Sequence, residues 1–117
     1  TGERVLRAAL PHAQWWNTWF DWFGNSAEGF AKQNAHISEI ASEVGRDPAT
    51  LKRSACLLVV TDTSAGERPV PDTYTAATLT DIRHRVIEMR DAGADEVILV
   101  SDPINERSVR VLAEALR

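Results

Sequence analysis

Cysteine, histidine and positive charge are all scarce in this chain. Its 117 residues include one cysteine and three histidines. A lone thiol, Cys56, rules out any disulfide within the chain. It lies in the apolar run Ala55-Cys56-Leu57-Leu58-Val59-Val60, which marks it as a buried, inert thiol and fits a reducing cytoplasm. His12, His36 and His84 are scattered, and none has a cysteine or carboxylate at metal-ligand spacing, so no zinc motif is present. No apolar run approaches the length of a membrane span, and no signal peptide is visible. Basic residues number 13 against 17 acidic ones, a net charge of −4. That balance disfavours a nucleic-acid backbone or an anionic membrane as partner. The 44% hydrophobic and 26% charged content is that of a soluble globular protein. An initiator Met is also lacking, and the chain ends at Arg117 inside an amphipathic pattern. Both ends are therefore expected to be cuts from something longer.

What is present is an alternation of helix and strand. Val5, Leu6, Ala9, Leu10 and Ala13 recur at helical spacing, predicting a helix over Glu3 to His12 that Pro11 ends or bends. A short aromatic strand is expected from Ala13 to Trp16, then a turn at Gly24-Asn25-Ser26. The second helix runs from Ser26 or Ala27 to Val44, with Phe30, Ile37, Ile40, Ala41 and Val44 on one stripe and Gly45 as a left-handed stop. Asp47-Pro48 opens a helical turn that reaches about Lys52. Cys56 to Thr61 is the strongest strand, apolar on both faces as a parallel barrel strand should be. Ser64 to Asp72 is the longest loop. Thr78 and Thr80 are candidate caps for a helix with Ile82, Val86 and Met89 inward, and Thr78 with Asp81 forms a capping box. Glu96 to Ser101 is a further strand. Asp102-Pro103 repeats the cap-plus-proline device before a last helix with Val109, Leu112, Ala113 and Leu116 inward. The order α, β, α, β, α, β, α predicts an α/β fold, a partial (βα)8 TIM barrel with three parallel strands and their helices.

All four tryptophans lie within eight positions, in the run Trp15, Trp16, Trp19, Phe20, Trp22, Phe23. Such a cluster can wall a flat ring and exclude water, and it can equally serve packing. Trp16 reads as core. Trp19, Phe20, Trp22 and Phe23 follow a strand's C-terminal end, the catalytic face of a βα barrel. Thr1-Gly2-Glu3-Arg4 places free helix-start amides, a glycine and an arginine together, which suits a phosphate and also suits ordinary capping. Between Ile37 and Arg53, the residues Ala41, Gly45, Thr50, Leu51 and Arg53 imitate a helix-turn-helix. Glu39, Glu43 and Asp47 would then sit close to phosphates, and a helix-to-strand connection explains the same residues without DNA.

Three stretches carry a resemblance. They are Arg4-Val5-Leu6-Arg7-Ala8-Ala9 followed by Ala13-Gln14-Trp15-Trp16-Asn17, then Val44-Gly45-Arg46-Asp47-Pro48-Ala49-Thr50-Leu51, then Ala92-Gly93-Ala94-Asp95-Glu96-Val97. In this order and spacing the chain resembles the C-terminal part of the luciferase-like monooxygenase family, the flavin- or deazaflavin-dependent TIM-barrel oxidoreductases. Gln14 stands where the family usually has Asp, and Pro11 interrupts a helix that is usually continuous. The resemblance implies a parent oxidoreductase using FMN or the deazaflavin coenzyme F-420 on a small-molecule substrate. It implies Gly2 and Arg4 near the cofactor phosphate, and Trp16, Asn17 and Trp19 near the substrate. It names no catalytic acid or base in this segment. The cofactor would supply the redox chemistry and the protein the pocket.

Two expectations follow about behaviour alone. The chain should be inactive by itself, and its open strand edges should drive self-association or packing on an N-terminal half. Leu57, Val59, Val97 or Ile98, and Leu99 are expected to face the gap, joined by the Trp19 to Phe23 cluster. The alternative function is an interaction module that uses the tryptophan patch.

Overall fold

The computed structural model describes residues 2–117. Its helices are α1 (Glu3–Ala9), α2 (Ala27–Glu43), α3 (Ile82–Asp91) and α4 (Glu106–Ala115), and its strands are β1 (Trp15–Thr18), β2 (Lys52–Val60) and β3 (Glu96–Asp102). The three strands form one parallel sheet in the order β1-β2-β3. Asn17 pairs with Ser54, and Ser54 with Glu96, so one register runs across all three strands.

Local chemistry explains most boundaries. Ser26 caps α2 by accepting the Gly29 amide at 3.0 Å. Gly45 and Gly93 take left-handed conformations after α2 and α3. Thr78 and Asp81 bond each other reciprocally, Thr78 N–H to Asp81 Oδ1 at 2.7 Å and Asp81 N–H to Thr78 Oγ1 at 3.2 Å. These are the bonds of the expected capping box, made in the turn just ahead of α3, whose N-cap is Asp81.

Other boundaries differ. α1 ends at Ala9, ahead of Pro11. β1 starts two residues later than Ala13, and β2 starts at Lys52, four residues before Cys56. The segment expected to turn helically as far as Lys52 is a single 3-10 turn, Pro48–Thr50, so the helix-turn-helix imitation has no second helix. Arg53 explains the longer strand. Its guanidinium is buried and bonds Asn34 and Ser38 of α2 and the carbonyls of Asn34, Leu51 and Pro48. Burial lowers its pKa, and Asp95 opposes that shift.

Asp102 is not the cap of α4; Asn105 is, accepting the Ser108 amide at 2.8 Å. Asp102 is still in the ladder, its carbonyl accepting the Thr61 amide.

Strand alternation separates two faces. Arg53, Ala55, Leu57 and Val59 face the helices. Leu57 and Val59 pack in a cluster with Phe30 of α2, Ile82 and Met89 of α3 and Leu112 of α4. A second cluster joins Leu6 and Leu10 to Ile37, Ile40, Ala41 and Leu51, with Trp16 against it. The opposite face bears Trp15, Asn17, Ser54, Cys56 and Ile98. Of the residues expected at the gap, Leu57, Val59, Val97 and Leu99 are thus in opposite phase, with Leu57 and Val59 fully buried, while Ile98, the alternative to Val97, is on the open face at 41% exposed, beside Trp15 at 50%. A one-residue error in phase moves every side chain of a strand to the other face.

β1 stops at Thr18, and beyond it Asn25 completes the β2 edge. Its side chain accepts the Leu58 amide at 2.8 Å and donates to the carbonyls of Leu58 and Thr75 at 3.1 Å each. Asn25 sits at φ 51°, a left-handed conformation that asparagine tolerates. Asn25→Ala should cost about 3 kcal/mol in urea unfolding, and Asn25→Gly about 1 kcal/mol less because glycine relieves the backbone term. Gly29 offers a sharper check. A Cβ there would lie 1.9 Å from the Phe23 carbonyl oxygen. Gly29→Ala, which in an open helix gains up to about 1 kcal/mol, should here destabilise. An unchanged or raised midpoint would contradict the close packing of α2 on Phe23.

Candidate functional site

Open clefts gather at the C-terminal ends of β2 and β3. One of about 410 Å³ is lined by Val60, Arg68, Val70, Ala76, Ala77 and Asp102 among others. A neighbour of about 310 Å³ shares Arg68 and Asp102 and adds Glu67 and Ile104. A third, about 80 Å³, lies between Thr61, Asp62, Asn105 and Arg107. In a βα sheet this is the edge where loops of different units meet and ligands bind.

The loop after β2 is built onto this edge by hydrogen bonds. Asp102 is 3% exposed, and its carboxylate accepts the amides of Glu67 at 2.8 Å and Arg68 at 3.2 Å. Arg68 lies over two rings, 5.8 Å from the Trp19 centroid and 5.7 Å from that of Phe20. Phe20 meets Tyr74 edge-on at 6.0 Å. Tyr74 donates to Asp21 at 2.8 Å, and desolvation together with that bond raises its pKa. Ala77 bridges to Val59 and exchanges backbone bonds with Leu58 and Val60, closing the loop back onto the β2 edge.

On the open face lower down, Asn17 makes a small polar group. Ser54 Oγ donates to Asn17 Oδ1 at 2.8 Å, and Asn17 Nδ2 reaches Cys56 Sγ at 3.4 Å. Cys56 is buried, as expected.

The expected site residues do not form one constellation. Asn17 is exposed on the open face, and Trp19 is half-buried beneath Arg68. Trp16, on the opposite face, packs against the Leu6–Ile37 cluster. Gly2 and Arg4 are exposed at the start of α1; Thr1 of the same stretch lies outside the described residues. α1 has 7 residues and rises about 10 Å, against about 25 Å for the 17 residues of α2. Its anchors, Arg7 on Glu43 and the Leu10 carbonyl on Arg46, are at the far end of α2. Phe20 and Phe23 are core rather than pocket, and Trp22 is 50% exposed. Arg68 and Tyr74 were not singled out in the sequence, and Asp102 was expected only as a helix cap. The only signal was the length of the proline-broken loop from Ser64 to Asp72, which carries Arg68 and stops short of Tyr74.

No family model matches the sequence, and no curated protein matches it. Solved structures that share its fold include two of known cofactor. One is the coenzyme F-420-dependent tetrahydromethanopterin reductase from Methanopyrus kandleri, at TM-score 0.62 and 14% identity, covering 97% of this chain and 47% of its own. The other is an F-420-dependent secondary alcohol dehydrogenase, in complex with an F-420–acetone adduct. It aligns at TM-score 0.64 and 16% identity, over 99% of this chain and 47% of its own. Both are TIM barrels. The α/β fold is shared with them, and the chain spans about half the length of each.

The smallest cleft carries a pH prediction. Asp62 accepts the Ser64 hydroxyl at 2.6 Å and the Ser64 amide at 3.0 Å. Those bonds, then Arg107, hold its carboxyl below the ordinary range. A lowered folded pKa gives stability that is complete above the unfolded value and is lost as pH falls through the folded one. Ser64→Ala should move the Asp62 titration upward, read by carboxyl-carbon NMR. An unmoved midpoint would show that the hydroxyl is not its main support.

Proposed function

We propose that this chain is part of a deazaflavin-dependent oxidoreductase of luciferase-like type, with coenzyme F-420 favoured over FMN. One observation carries the reading: nearly every residue of the chain aligns with half of each of two F-420-dependent barrels. The order of the three sequence stretches supports it independently.

The residues present suit one wall of a cofactor site. Trp15, Asn17 and Ile98 are exposed on the sheet face away from the helices, and the clefts at the strand ends are open rather than enclosed. In this reading Asn17 and Trp19 face the substrate side, and Gly2 and Arg4 the phosphate. Bound F-420 would supply hydride chemistry, and this chain would orient it and exclude water. No acid or base is assigned.

The uncovered face and the free edges of β1 and β3 support the partner proposal: a further half-barrel, or a second copy, packs there. The half-exposed indoles Trp15 and Trp22 favour such contacts.

Alone, the chain should bind F-420 and FMN weakly or not at all in a fluorescence titration, because one wall cannot enclose the ring. Reading the gene upstream of the Thr1 codon decides the rest. The frame should continue into a strand ending in glycines, and the encoded protein should bind F-420 in the micromolar range. A stop codon in that frame, or micromolar binding by these 117 residues alone, would overturn the reading.

A further inference from the structure

We propose that the cleft at the end of β2 is a binding site for a small anion with an apolar body, a carboxylate or phosphate held by Arg68. Val60, Val70, Ala76 and Ala77 give the cleft its apolar surface, and its volume of about 410 Å³ accommodates a single ring. Its hydroxyls come from Thr63, Thr75 and Thr78.

The cation is the deciding element. Among the described residues, nearly every arginine meets an oxygen. Arg7, Arg90, Arg107, Arg110 and Arg117 each reach a carboxylate. Arg46, Arg53, Arg83 and Arg85 reach carbonyls. Arg68 and Arg4 alone have no such acceptor among those residues, and Arg4 lines no described cleft. Arg68 is also held in place. Its amide is bound to Asp102, and its guanidinium carbon lies within cation–π distance of the Trp19 and Phe20 rings. A guanidinium near aromatic rings keeps N–H donors for a carboxylate or phosphate, and a planar fork limited in its motion loses less entropy on taking one.

Asp102 also lines the cleft, but both of its oxygens already accept amides and it is buried. Arg68 is therefore the side chain in the cleft with N–H donors to offer an anion, and the Asp102 charge offsets part of its attraction. The site is built from residues of this chain alone.

Benzoate and phenyl phosphate are suitable probes, titrated into isotope-labelled protein and followed by amide and Arg68 Nε shifts. Either should bind in the millimolar range or tighter, shifting Arg68, Val70 and Ala77. Benzyl alcohol, the neutral analogue, should bind at least about tenfold more weakly, and Arg68→Met should lose a similar factor for the anion. Arg68→Met is an exposed loop change that keeps the stem of the side chain, and an unchanged spectrum elsewhere verifies its fold. The proposal is overturned if neither anion binds, if the shifts map outside the cleft, or if benzyl alcohol or Arg68→Met matches the wild-type affinity for the anion.

Discussion

The side-chain amide of Asn25 holds the centre of this molecule together. β2 is the middle strand, yet its β1 neighbour ends at Thr18, opposite Ala55. The next edge groups of β2 would be buried and unpaired, at a cost of about 1–3 kcal/mol each. Asn25 supplies both a donor and an acceptor to Leu58, and Ala77 continues from there through Leu58 and Val60. The same amide reaches Thr75, and Arg85 bonds the Asn25 carbonyl. One residue in a left-handed turn therefore ties the β1–α2 connection, the central strand and the returning loop. The clefts exist because that loop is held above the strand ends.

Arg53 acts as the counterpart at the other end of β2. A buried guanidinium keeps its place only where its donors are met, and here α2 and the Pro48–Thr50 turn provide the oxygens. This pins the phase of β2, sending Leu57 and Val59 to the helices and Ser54 and Cys56 to the open face. Substituting a well-packed apolar side chain could leave stability intact, whereas a plain truncation would strand the Asn34 and Ser38 partners.

The alternation of helices and strands was legible because each helix has an apolar stripe and a marked end, such as Ser26, Gly45 or the Thr78–Asp81 box. The phase of β2 was not legible. A strand apolar on both faces carries no alternating signal, and the residue that settles it, Arg53, resembles a surface arginine in sequence. Asn25 was read only as a turn, since nothing local reveals that its amide meets a strand 33 positions away. Asp102 looked like a cap because Asp-Pro commonly starts a helix; its pairing with Thr61 and with the loop amides is long-range. The tryptophans were visible as a group, but their division among core, open face and surface depends on β1 starting at Trp15.

The sheet packs its helices on one face. On that face Ala55, Leu57 and Val59 are buried, while Trp15 and Ile98 remain exposed on the opposite one beside the outer edges of β1 and β3. Exposed apolar surface next to free strand edges favours association. Sedimentation equilibrium across the micromolar range tests this most directly. The account predicts a mass that rises with concentration and falls back to 13.0 kDa when Trp15 and Ile98 are both made polar. A well-folded monomer at every concentration would mean that the chain satisfies its own open face, contradicting the half-barrel account.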